Sequence, residues 1–417
     1  MSAEPLESTD FPAGASAPGA FDRFARRLVH TRLRGIRDGQ LTIREQDASV
    51  SFGTRTERFP EPVEIRVADP RFFGDVAFGG SIGAGEAYIR GYWSANDLTR
   101  LVRLLLANRE ALDNVDSGLA RLGLPLQRVM HWLNRNTRKG SRRNIAAHYD
   151  LGNDFYRLWL DQRMMYSSAI FETPDMPLDE AATLKLDRIC EKLELGPGDS
   201  VLEIGSGWGG FAIHAAENYG CRVTTTTISD QQFEYAGAAI AKAGLGERIT
   251  LLKQDYRDLE GRFDKLVSIE MIEAVGHQYH ETFFDKCASL LKPAGRMLLQ
   301  AITIRDQRYA SYRNEPDFIR KYIFPGGCLT SVTDMCRILT AKTDMQLVHL
   351  EDIGLHYART LRCWRERFFA AVDSVRTLGY SEDFIRMWDY YLSFCEGGFA
   401  ERELGDVQML ILKPEAR

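Results

Sequence analysis

Residues 201–216 read VLEIGSGWGGFAIHAA and place four glycines within six positions, between an apolar run and a helical pattern. A strand, a glycine turn and a helix let a ligand lie against the main chain, because no Cβ intervenes and the helix N-terminus offers unpaired N–H groups. Gly205, Gly207 and Gly210 also satisfy G-x-G-x-x-G, a pattern that is weak alone because nicotinamide and flavin enzymes share it. The stretch therefore predicts a small polar ligand at the end of a strand.

The neighbours of the glycines indicate which ligand this is. Glu203 lies two residues before Gly205, and a carboxylate there suits the ammonium and sulfonium of S-adenosylmethionine (SAM) better than a pyrophosphate. The next predicted strand ends in TTTTISDQQ without an acidic residue at its tip, although Asp230 keeps a nicotinamide dinucleotide open. Three side chains near this tip equally suit the ribose and amino acid of SAM: Thr227, Ser229 and Gln232. Together these features favour SAM.

The composition, with 44% apolar and 27% charged residues among 417, is that of a globular chain long enough for two domains. The seven cysteines form no C-x-x-C pair, and their odd number, without a recognisable signal peptide, predicts reduced thiols in a cytoplasm. No metal site is expected, because His277 and His280 have no further ligand close in sequence. No apolar run approaches the roughly 18 to 20 residues of a membrane span, so contact with lipid is expected only at the surface.

Two basic segments stand out from a small formal charge of −5. Residues 118–145 contain seven Lys or Arg and no Asp or Glu, interleaved with apolar side chains, and a second basic run extends from Arg23 to Arg37. Both patterns suit anionic lipid headgroups or nucleic acid. A solvated helix face and a linker between domains explain them equally well.

The patterns divide the chain into four regions. Residues 1–20, rich in Ala, Gly, Pro and Ser, are expected to be disordered, and residues 21–117 mix short alternating segments with helical ones, which predicts a small α+β domain. Residues 118–145 form a basic amphipathic linker. From 146 to 417 strands alternate with helices, which predicts an α/β fold with a doubly wound, Rossmann-like parallel sheet whose last strands are candidates for an antiparallel edge. Aromatic-rich helical stretches beyond residue 304 are expected to cap the ligand-binding end of the sheet.

Seven blocks in one order give a specific resemblance. They are HYDLGNDFYRLWLDQRMMYSSAIF, LEIGSGWGG, TTISDQQFEYA, QDYRDL, MIEAVG, KYIFPGGCL and HYARTLRCWRERF. Over nearly everything after residue 79 the chain resembles the cyclopropane-fatty-acyl-phospholipid synthase family, which uses SAM to methylate cis double bonds in the acyl chains of membrane phospholipids. The resemblance implies a class I SAM methyltransferase domain with a helical lipid-binding cap and a small lipid-docking domain at 21–117. It also implies a cytoplasmic protein at the inner face of the membrane, and it leaves a homodimer open.

The resemblance, together with the glycine turn and its neighbours, predicts two groups of site residues. One group surrounds SAM, from its methionine end through the ribose to the adenine: Tyr149, Tyr166, Ser167, Glu203, Gly205, Gly207, Gly209, Thr227, Ser229, Gln232, Asp255 and Tyr256. The other group corresponds to positions that hold a proton-accepting bicarbonate in the family, together with one position often occupied there by glycine: Ser168, Gln300, Glu273, Ile302, Tyr357 and Glu270. Ser168 and Gln300 stand where the family usually has Cys and His, and Glu270 stands at the glycine position. Bicarbonate is therefore implied, while Glu270 adds a second candidate for the base.

The reaction product depends on where the proton is lost after methyl transfer. Loss from the new methyl group gives a cyclopropane, whereas loss from a chain carbon, directly or after a hydride shift, gives a methyl-branched or methylene fatty acid. Side-chain chemistry favours the cyclopropane and leaves the branched product as the alternative. More distant alternatives are a SAM methyltransferase of another substrate class and a catalytically inactive lipid-binding relative. The apolar and aromatic residues of 304–370 argue against a nucleic-acid partner.

Overall fold

The computed structural model describes residues 19–46, 48–114, 151–313, 315 and 317–416. The predicted tail up to residue 18 and the basic segment 118–145 lie outside the described residues. Within the described part of the chain, the α-helices are α1 Ala20–Leu33, α2 Arg71–Ile89, α3 Leu98–Ala107, α4 Arg109–Asn114, α5 Asn153–Arg157, α6 Leu178–Leu193, α7 Gly210–Asn218, α8 Asp230–Lys242, α9 His280–Leu290, α10 Asp306–Tyr312, α11 Phe318–Tyr322, α12 Val332–Lys342, α13 Gly354–Ala370, α14 Val372–Thr377 and α15 Glu382–Ala400. The strands there are β1 Gly39–Glu45, β2 Ala48–Thr54, β3 Val63–Val67, β4 Trp93–Ala95, β5 Ser200–Ile204, β6 Arg222–Thr227, β7 Ile249–Lys253, β8 Phe263–Ile269, β9 Leu291–Ile304, β10 Gln346–Asp352 and β11 Leu404–Leu412.

These elements form two compact units. The first unit comprises the described residues up to 114 together with segments from 315 to 321 and from 364 to 403, and the second comprises the rest. Residues 364–403 thus belong with the N-terminal residues, whereas the sequence patterns grouped them with the second domain. The predicted boundaries at 21–117 and 146–417 stay a prediction.

The first unit contains a sheet in the order β2-β1-β3-β4, with β1 antiparallel to β2 and parallel to β3. Helix α1 buries Ala25, Val29 and Leu33, which recur every four residues and so lie on one face. Helix α3 begins after Asp97, whose side chain accepts a hydrogen bond from the Arg100 N–H and caps the helix. The unit has the α+β character that the alternating and helical segments predict.

The second unit contains a seven-stranded sheet in the order β10-β11-β9-β8-β5-β6-β7. Neighbouring strands are parallel except where β11 pairs with β9 and with β10, so the predicted antiparallel edge is confirmed. Apolar clusters cover both faces of the sheet: one contains side chains of α9 and α12, and the other contains side chains of α6 and α7. The predicted doubly wound α/β fold is therefore confirmed.

The strand order reverses beside β5, because β6 lies on one side of it and β8 on the other. Ligands of doubly wound sheets bind at such a point, in the crevice beyond the carboxyl ends of the strands. Gly205 follows β5 directly and Glu270 follows β8 directly. Both residues have a positive φ, of 100° and 48°. The candidate site is built around them.

None of the helices in the described ranges is long and apolar enough to cross a membrane.

Candidate active site

The glycine turn after β5 presents bare main chain. The N–H groups of Gly205 and Ser206 donate to the carbonyl of Thr226 on β6 at 3.1 and 2.8 Å, which anchors the turn to the neighbouring strand. Gly207 has a φ of 48°, and a Cβ added there would meet no atom within 4 Å. Gly209 precedes α7, whose N-terminus therefore opens at the turn. Open space above a left-handed glycine next to a helix N-terminus fits a ligand that lies against the backbone, as expected for SAM.

Glu203 is nearly fully buried on β5. One of its carboxylate oxygens, Oε2, accepts a hydrogen bond of 2.5 Å from the hydroxyl of Thr225 on the paired strand. Burial raises the pKa of Glu203 to about 7, and the bond from Thr225 and the charge of Lys185 oppose that rise. The carboxylate thus lies inside the sheet beneath the turn.

The predicted ribose-binding residues at the end of β6 are joined by hydrogen bonds. Thr227 donates its hydroxyl hydrogen to Gln232 Oε1 at 3.0 Å, and the Ser229 N–H donates to Thr227 Oγ1 at 3.1 Å. The Gln232 N–H donates to Ser229 Oγ, so the Ser229 side chain caps α8. The structure gives Ser229 a helix-capping contact and holds all three side chains within one turn.

The predicted adenine-binding residues follow β7. The two carboxylate oxygens of Asp255 accept hydrogen bonds from the Arg257 guanidinium at 2.8 and 2.6 Å. Tyr256 packs edge-on against Phe283, and burial raises the pKa of its hydroxyl. The Asp255 carboxylate is therefore held in place by its own neighbour.

Tyr166 lies in an aromatic cluster. Its ring centre is 5.5 Å from that of Tyr156, 5.4 Å from that of Trp159 and 6.2 Å from that of Phe324. The adjacent Ser167 accepts a hydrogen bond from Lys185. Aromatic faces of this kind stabilise nearby positive charge. Tyr149, the other predicted tyrosine of the SAM site, lies outside the described residues.

The carboxylate of Glu270 accepts hydrogen bonds from three of the predicted site residues. Oε1 accepts from the Ser168 N–H at 2.8 Å and from the Gln300 side-chain amide at 2.7 Å, and Oε2 accepts from the Tyr357 hydroxyl at 2.8 Å. The main-chain N–H of Glu270 donates to the Gln300 carbonyl. Glu270 is thus the point at which the loop before α6, strand β9 and helix α13 meet.

Glu270 also adopts an unusual backbone conformation. A left-handed conformation such as its φ of 48° costs a residue with a Cβ about 1–2 kcal/mol, whereas glycine adopts it freely. In the family that the sequence resembles, this position is often glycine. Such a conformation persists only when the surrounding contacts stabilise it, and here the three hydrogen bonds to the carboxylate do so.

The second carboxyl group of this loop belongs to Glu273. Its Oε1 accepts a hydrogen bond from the Ile302 N–H, while its Oε2 is buried without a partner among the described residues. Burial, and then the charge of Glu270, raises the pKa of Glu273 to about 8, so this carboxyl group is protonated at neutral pH. All six residues of the predicted proton-accepting group are therefore brought together, around the two carboxyl groups of Glu270 and Glu273.

A lysine that the sequence interpretation did not single out lies beneath this site. Lys185 is fully buried, and its ammonium group donates to Ser167 Oγ at 2.8 Å. Burial lowers its pKa to about 8, although carboxyl groups of the site, including Glu270 and Glu203, raise it. The signal in the sequence was its position on the apolar stripe of α6, between Ala182 and Leu186, where a charged residue needs an explanation.

Asp406 on β11 was also not predicted. It is fully buried, and the Gln300 side-chain amide donates to its Oδ2 at 3.0 Å and to Glu270 Oε1. Burial, and then the charges of Glu270 and Glu273, raises the pKa of Asp406 well above its usual range. Because three donors stabilise the Glu270 carboxylate, Glu270 is the ionised member of this pair and Asp406 the protonated one.

A row of polar side chains leads from Glu270 to the edge of the sheet. The Gln408 amide donates to Gln300 Oε1 at 3.0 Å, and the two residues are direct partners in the β9–β11 ladder. Lys192 donates to Gln408 Oε1 at 2.6 Å and forms an ion pair with Glu351. The orientation of Gln300 is therefore part of a longer network.

The two groups that the resemblance implies fit the structure differently. SAM fits, because the turn at Gly207 leaves open space over bare backbone. A bound bicarbonate does not fit the observed arrangement, because Ser168, Gln300 and Tyr357 already donate to Glu270, and the Ile302 N–H donates to Glu273. Among the described residues no cluster of metal-binding side chains is present.

The sheet order, the glycine turn and the buried acidic site together define a class I SAM-dependent methyltransferase. The profile of a family described as mycolic acid cyclopropane synthetase matches residues 136–409, and the chain belongs to this family.

Two curated relatives cover most of the chain. The chain is 38% identical to a cyclopropane-fatty-acyl-phospholipid synthase of Escherichia coli over 82% of its own length and 86% of the relative's. It is 37% identical to a tuberculostearic acid methyltransferase of Mycobacterium tuberculosis over 80% of its length and 79% of the relative's.

Solved structures give the same result. A cyclopropane synthase of Mycobacterium tuberculosis superposes with a TM-score of 0.61 at 31% identity, over 65% of this chain and 98% of that one. A mycolic acid cyclopropane synthase in complex with SAH and CTAB gives the same TM-score, identity and coverage. The chain is therefore related to lipid-modifying enzymes that either cyclopropanate or methylate.

Proposed function

We propose that this protein transfers a methyl group from SAM to a cis double bond in the acyl chain of an unsaturated phospholipid and closes the added carbon into a cyclopropane ring. The observation that carries the proposal is the buried acidic site directly beside the glycine turn. The Met271 side chain, next to Glu270, lies against Gly205, where an added Cβ would come within 3.1 Å of Met271 Cγ. Methyl donor and proton acceptor would therefore share one site that excludes water.

The twelve residues named above for SAM are proposed to hold it. SAM supplies an electrophilic methyl group. Open space over the bare backbone at Gly207 gives it room, the hydrogen-bonded group at the end of β6 suits its hydroxyl and carboxylate groups, and Ser167 is assigned to its methionine end. The described residues among the twelve lie in the second unit, and all of them except Tyr166 and Ser167 belong to β5, to β6 or to the segments directly after β5, β6 and β7.

The remaining chemistry takes place on the acyl chain. The double bond gives its electron pair to the methyl carbon, which leaves a cation on the neighbouring chain carbon. A C–H bond of the new methyl group then supplies the pair that closes the ring, and its proton passes to a base. The aromatic cluster around Tyr166 suits the cation, and a dry site prevents its capture by water.

A second candidate product has one observation in its favour. A relative at 37% identity is named for tuberculostearic acid methylation, and another, at 33% identity, is a probable fatty acid methyltransferase of Pseudomonas putida. The same methyl transfer followed by proton loss from a chain carbon would give a methyl-branched alkene, and a hydride shift followed by proton loss from the new methyl group would give a methylene acyl chain. The products therefore differ in whether a hydride shifts and in which C–H bond then gives its proton to the base.

Product analysis tests both candidates. The purified protein is incubated with methyl-labelled SAM and vesicles of a cis-monounsaturated phospholipid, and the released acyl chains are hydrogenated mildly before gas chromatography and mass spectrometry. We expect labelled chains that largely resist hydrogenation, as a cyclopropane does. Labelled chains that all take up hydrogen would establish the branched alternative, and unlabelled chains would refute acyl methylation.

We further propose that the protein acts in the cytoplasm, as a peripheral protein at the inner face of the membrane, and that the first unit docks it. Helix α1 exposes Phe21 and Phe24 by 59% and 49% among exposed arginines, and the Phe21 ring stacks on that of Phe78 at 5.3 Å. Exposed aromatic and basic side chains together suit an anionic lipid surface. The basic segment 118–145 is proposed to add to this contact, and a homodimer stays a prediction.

Vesicle sedimentation tests the docking surface. Replacing Phe21 and Phe24 by Ser should weaken binding to anionic vesicles, and raising the salt concentration should weaken it further. Leu378→Ser is the matched control, because Leu378 in the same unit is 46% exposed but does not lie on α1. Equal binding of all three proteins would show that α1 does not dock.

A further inference from the structure

We infer that the Glu270 carboxylate is itself the proton acceptor of the reaction and takes the place of a bound anion such as bicarbonate. The inference rests on the proposed function for the origin of the proton. It concerns the catalytic base, which the comparisons do not identify.

The anion site of the protein is already occupied. Three donors from three separate parts of the second unit converge on Glu270: the Ser168 N–H, the Gln300 amide and the Tyr357 hydroxyl, at 2.7 to 2.8 Å. Converging donors of this kind select an anion. Because the carboxylate of the chain already accepts from all three, a free anion would have to displace it.

Glu270 carries the negative charge of the acidic site. The three hydrogen bonds donated to its carboxyl group stabilise the ionised form, because each donor interacts more strongly with a carboxylate than with a neutral carboxylic acid. Asp406 and Glu273 are held protonated by burial and by the charge of Glu270. Lys185 provides the buried cation that balances the charge of Glu270. A base must be ionised to accept a proton, and Glu270 is the group that meets this condition.

Oε2 of Glu270 is the accepting atom. A carboxylate offers about four acceptor positions, two on each oxygen. Oε1 accepts from both the Ser168 N–H and the Gln300 amide, whereas Oε2 accepts from the Tyr357 hydroxyl. Oε2 is therefore the less occupied oxygen and the one that takes the proton. Burial also raises the pKa of Glu270, which makes it a stronger base than an exposed carboxylate.

The backbone at Glu270 also indicates a function for its side chain. Glu270 tolerates a left-handed φ of 48° that glycine would adopt without cost. A strained residue is retained where its side chain has a function, and here the side chain fills the anion site.

The resulting step balances. The C–H bond of the new methyl group breaks, its electron pair closes the ring onto the cationic carbon, and its proton bonds to Glu270 Oε2. The carboxylate becomes a neutral carboxylic acid, and the proton passes to water once the product has left. No additional reactant is required.

The first experiment compares variants in buffers with and without bicarbonate. We expect the wild-type protein to be equally active in carbon-dioxide-free buffer. Glu270→Gly should lose turnover by about 100-fold or more there, which is the range for removal of a general base, and should regain much of it with added bicarbonate. Glu270→Gln should stay inactive in both buffers, because its amide fills the site without a charge. Wild-type activity that depends on bicarbonate, or full activity of Glu270→Gly without it, would overturn the inference.

A matched control separates the backbone from the carboxylate. Glu194 is another non-glycine residue with a positive φ, of 52°, and its side chain is 67% exposed in an ion pair with Arg296. Glu194→Gly relieves a similar backbone strain away from the site, so its activity should match that of the wild type in both buffers. A loss equal to that of Glu270→Gly would mean that backbone strain, and not the carboxylate, matters.

A binding measurement keeps the inference separate from the proposed substrate. Carbon-13-labelled bicarbonate is titrated into SAH-loaded protein and followed by NMR line broadening. We expect binding to Glu270→Gly and none to the wild type or to Glu270→Gln. This result would support an occupied anion site even if the protein failed to methylate phospholipid, whereas bicarbonate binding to the wild type would overturn it.

Discussion

Two neighbouring strands of the large sheet are each followed by a residue with a positive φ, but one of the two turns is open and the other is filled by a side chain. Gly205 follows β5 with a φ of 100°, and Glu270 follows β8 with a φ of 48°. After β5 the turn carries no side chain at its glycines, and a Cβ at Gly207 would meet only open space. After β8 the left-handed residue carries a carboxylate that three donors hold in a buried site.

The difference shows two uses of one structural device. A left-handed residue at the end of a parallel strand turns the chain sharply over the crevice where ligands bind. Glycine in that place starts a turn that leaves room for a ligand at Gly207, whereas glutamate supplies from the chain a group that would otherwise have to bind from solution. The open turn suits the methyl donor and the filled turn suits the base.

The largest effect is expected from filling the open turn. Gly207→Val places a branched side chain in the space proposed for SAM, so we expect SAM affinity, measured by calorimetry, to fall about 100-fold or more, or about 3 kcal/mol. Gly244→Val is the matched control, because Gly244 also has a positive φ, of 68°, and open space around it. Similar losses of thermal stability in both variants, with SAM binding lost only in Gly207→Val, would support an open turn that holds SAM. Unchanged SAM affinity of Gly207→Val would contradict it.

The next effect comes from removing the cation under the filled turn. Lys185→Met leaves Glu270 without its balancing charge, while the other acidic neighbours of Lys185, namely Asp161, Asp406 and Glu203, remain. The pKa of Glu270 should rise, so turnover at pH 7 should fall about 10- to 100-fold and recover as pH increases.

The pH profile distinguishes this charge effect from simple damage to the fold. Lys265→Met, on β8, is the control, since Lys265 also has a lowered pKa caused by burial but donates to the Leu193 carbonyl. An equal loss of turnover for Lys185→Met at every pH would indicate a structural role alone.

A smaller effect is expected from removing one donor. Tyr357→Phe deletes the hydroxyl that donates to Glu270 Oε2 at 2.8 Å. A hydrogen bond to a charged group contributes about 1.5–3 kcal/mol, so kcat should fall about 10-fold or somewhat more, with SAM affinity unchanged. Tyr309→Phe removes an equivalent bond, of 2.9 Å, to Asp334 and should leave kcat unaltered. Equal kcat values for the two variants would show that the Tyr357 hydroxyl does not assist the base.

The smallest effect on turnover is expected at Glu273. Because its pKa is raised to about 8, the wild-type side chain is already neutral at pH 7, and Glu273→Gln should change turnover little. Stability should respond to pH instead. A raised pKa stabilises the folded state at low pH, and this contribution is lost by about 1.4 kcal/mol per unit as pH rises from about 5 towards 8.

Chemical unfolding at pH 5.5, 6.5 and 7.5 checks this prediction. Glutamine does not titrate, so the free energy of unfolding of the variant, relative to the wild type, should increase with pH over this range. Parallel pH dependences of the two proteins would contradict a protonated Glu273.

The open turn was predictable because its information is local. The spacing of Gly205, Gly207 and Gly210 after an apolar run defines the strand, the turn and the helix within sixteen residues. The sheet and its antiparallel edge followed from the alternation of strands and helices. Hydrophobic periodicity could not show, however, that residues 364–403 pack in the first unit.

The filled turn was predictable only in part. The resemblance predicted that Glu270 and its donors belong to one site. Ser168, however, donates to Glu270 across 102 residues of chain, and only the folded sheet shows that contact. Lys185 and Asp406 were missed because a single charged residue in an apolar stripe has no local partner that explains it. Their partners come from other strands and helices.

The row of polar side chains behind Glu270 has a direction. Lys192 can only donate, so it requires the oxygen of the Gln408 amide; the nitrogen of Gln408 then faces the oxygen of Gln300, whose own nitrogen is left for Glu270. With a neutral or acidic residue in place of Lys192, both amides could turn over and present an oxygen to the carboxylate. The partly exposed ion pair of Lys192 with Glu351 thus fixes which way the two buried amides point. The donor that Gln300 presents to the proposed base therefore depends on a contact at the edge of the sheet.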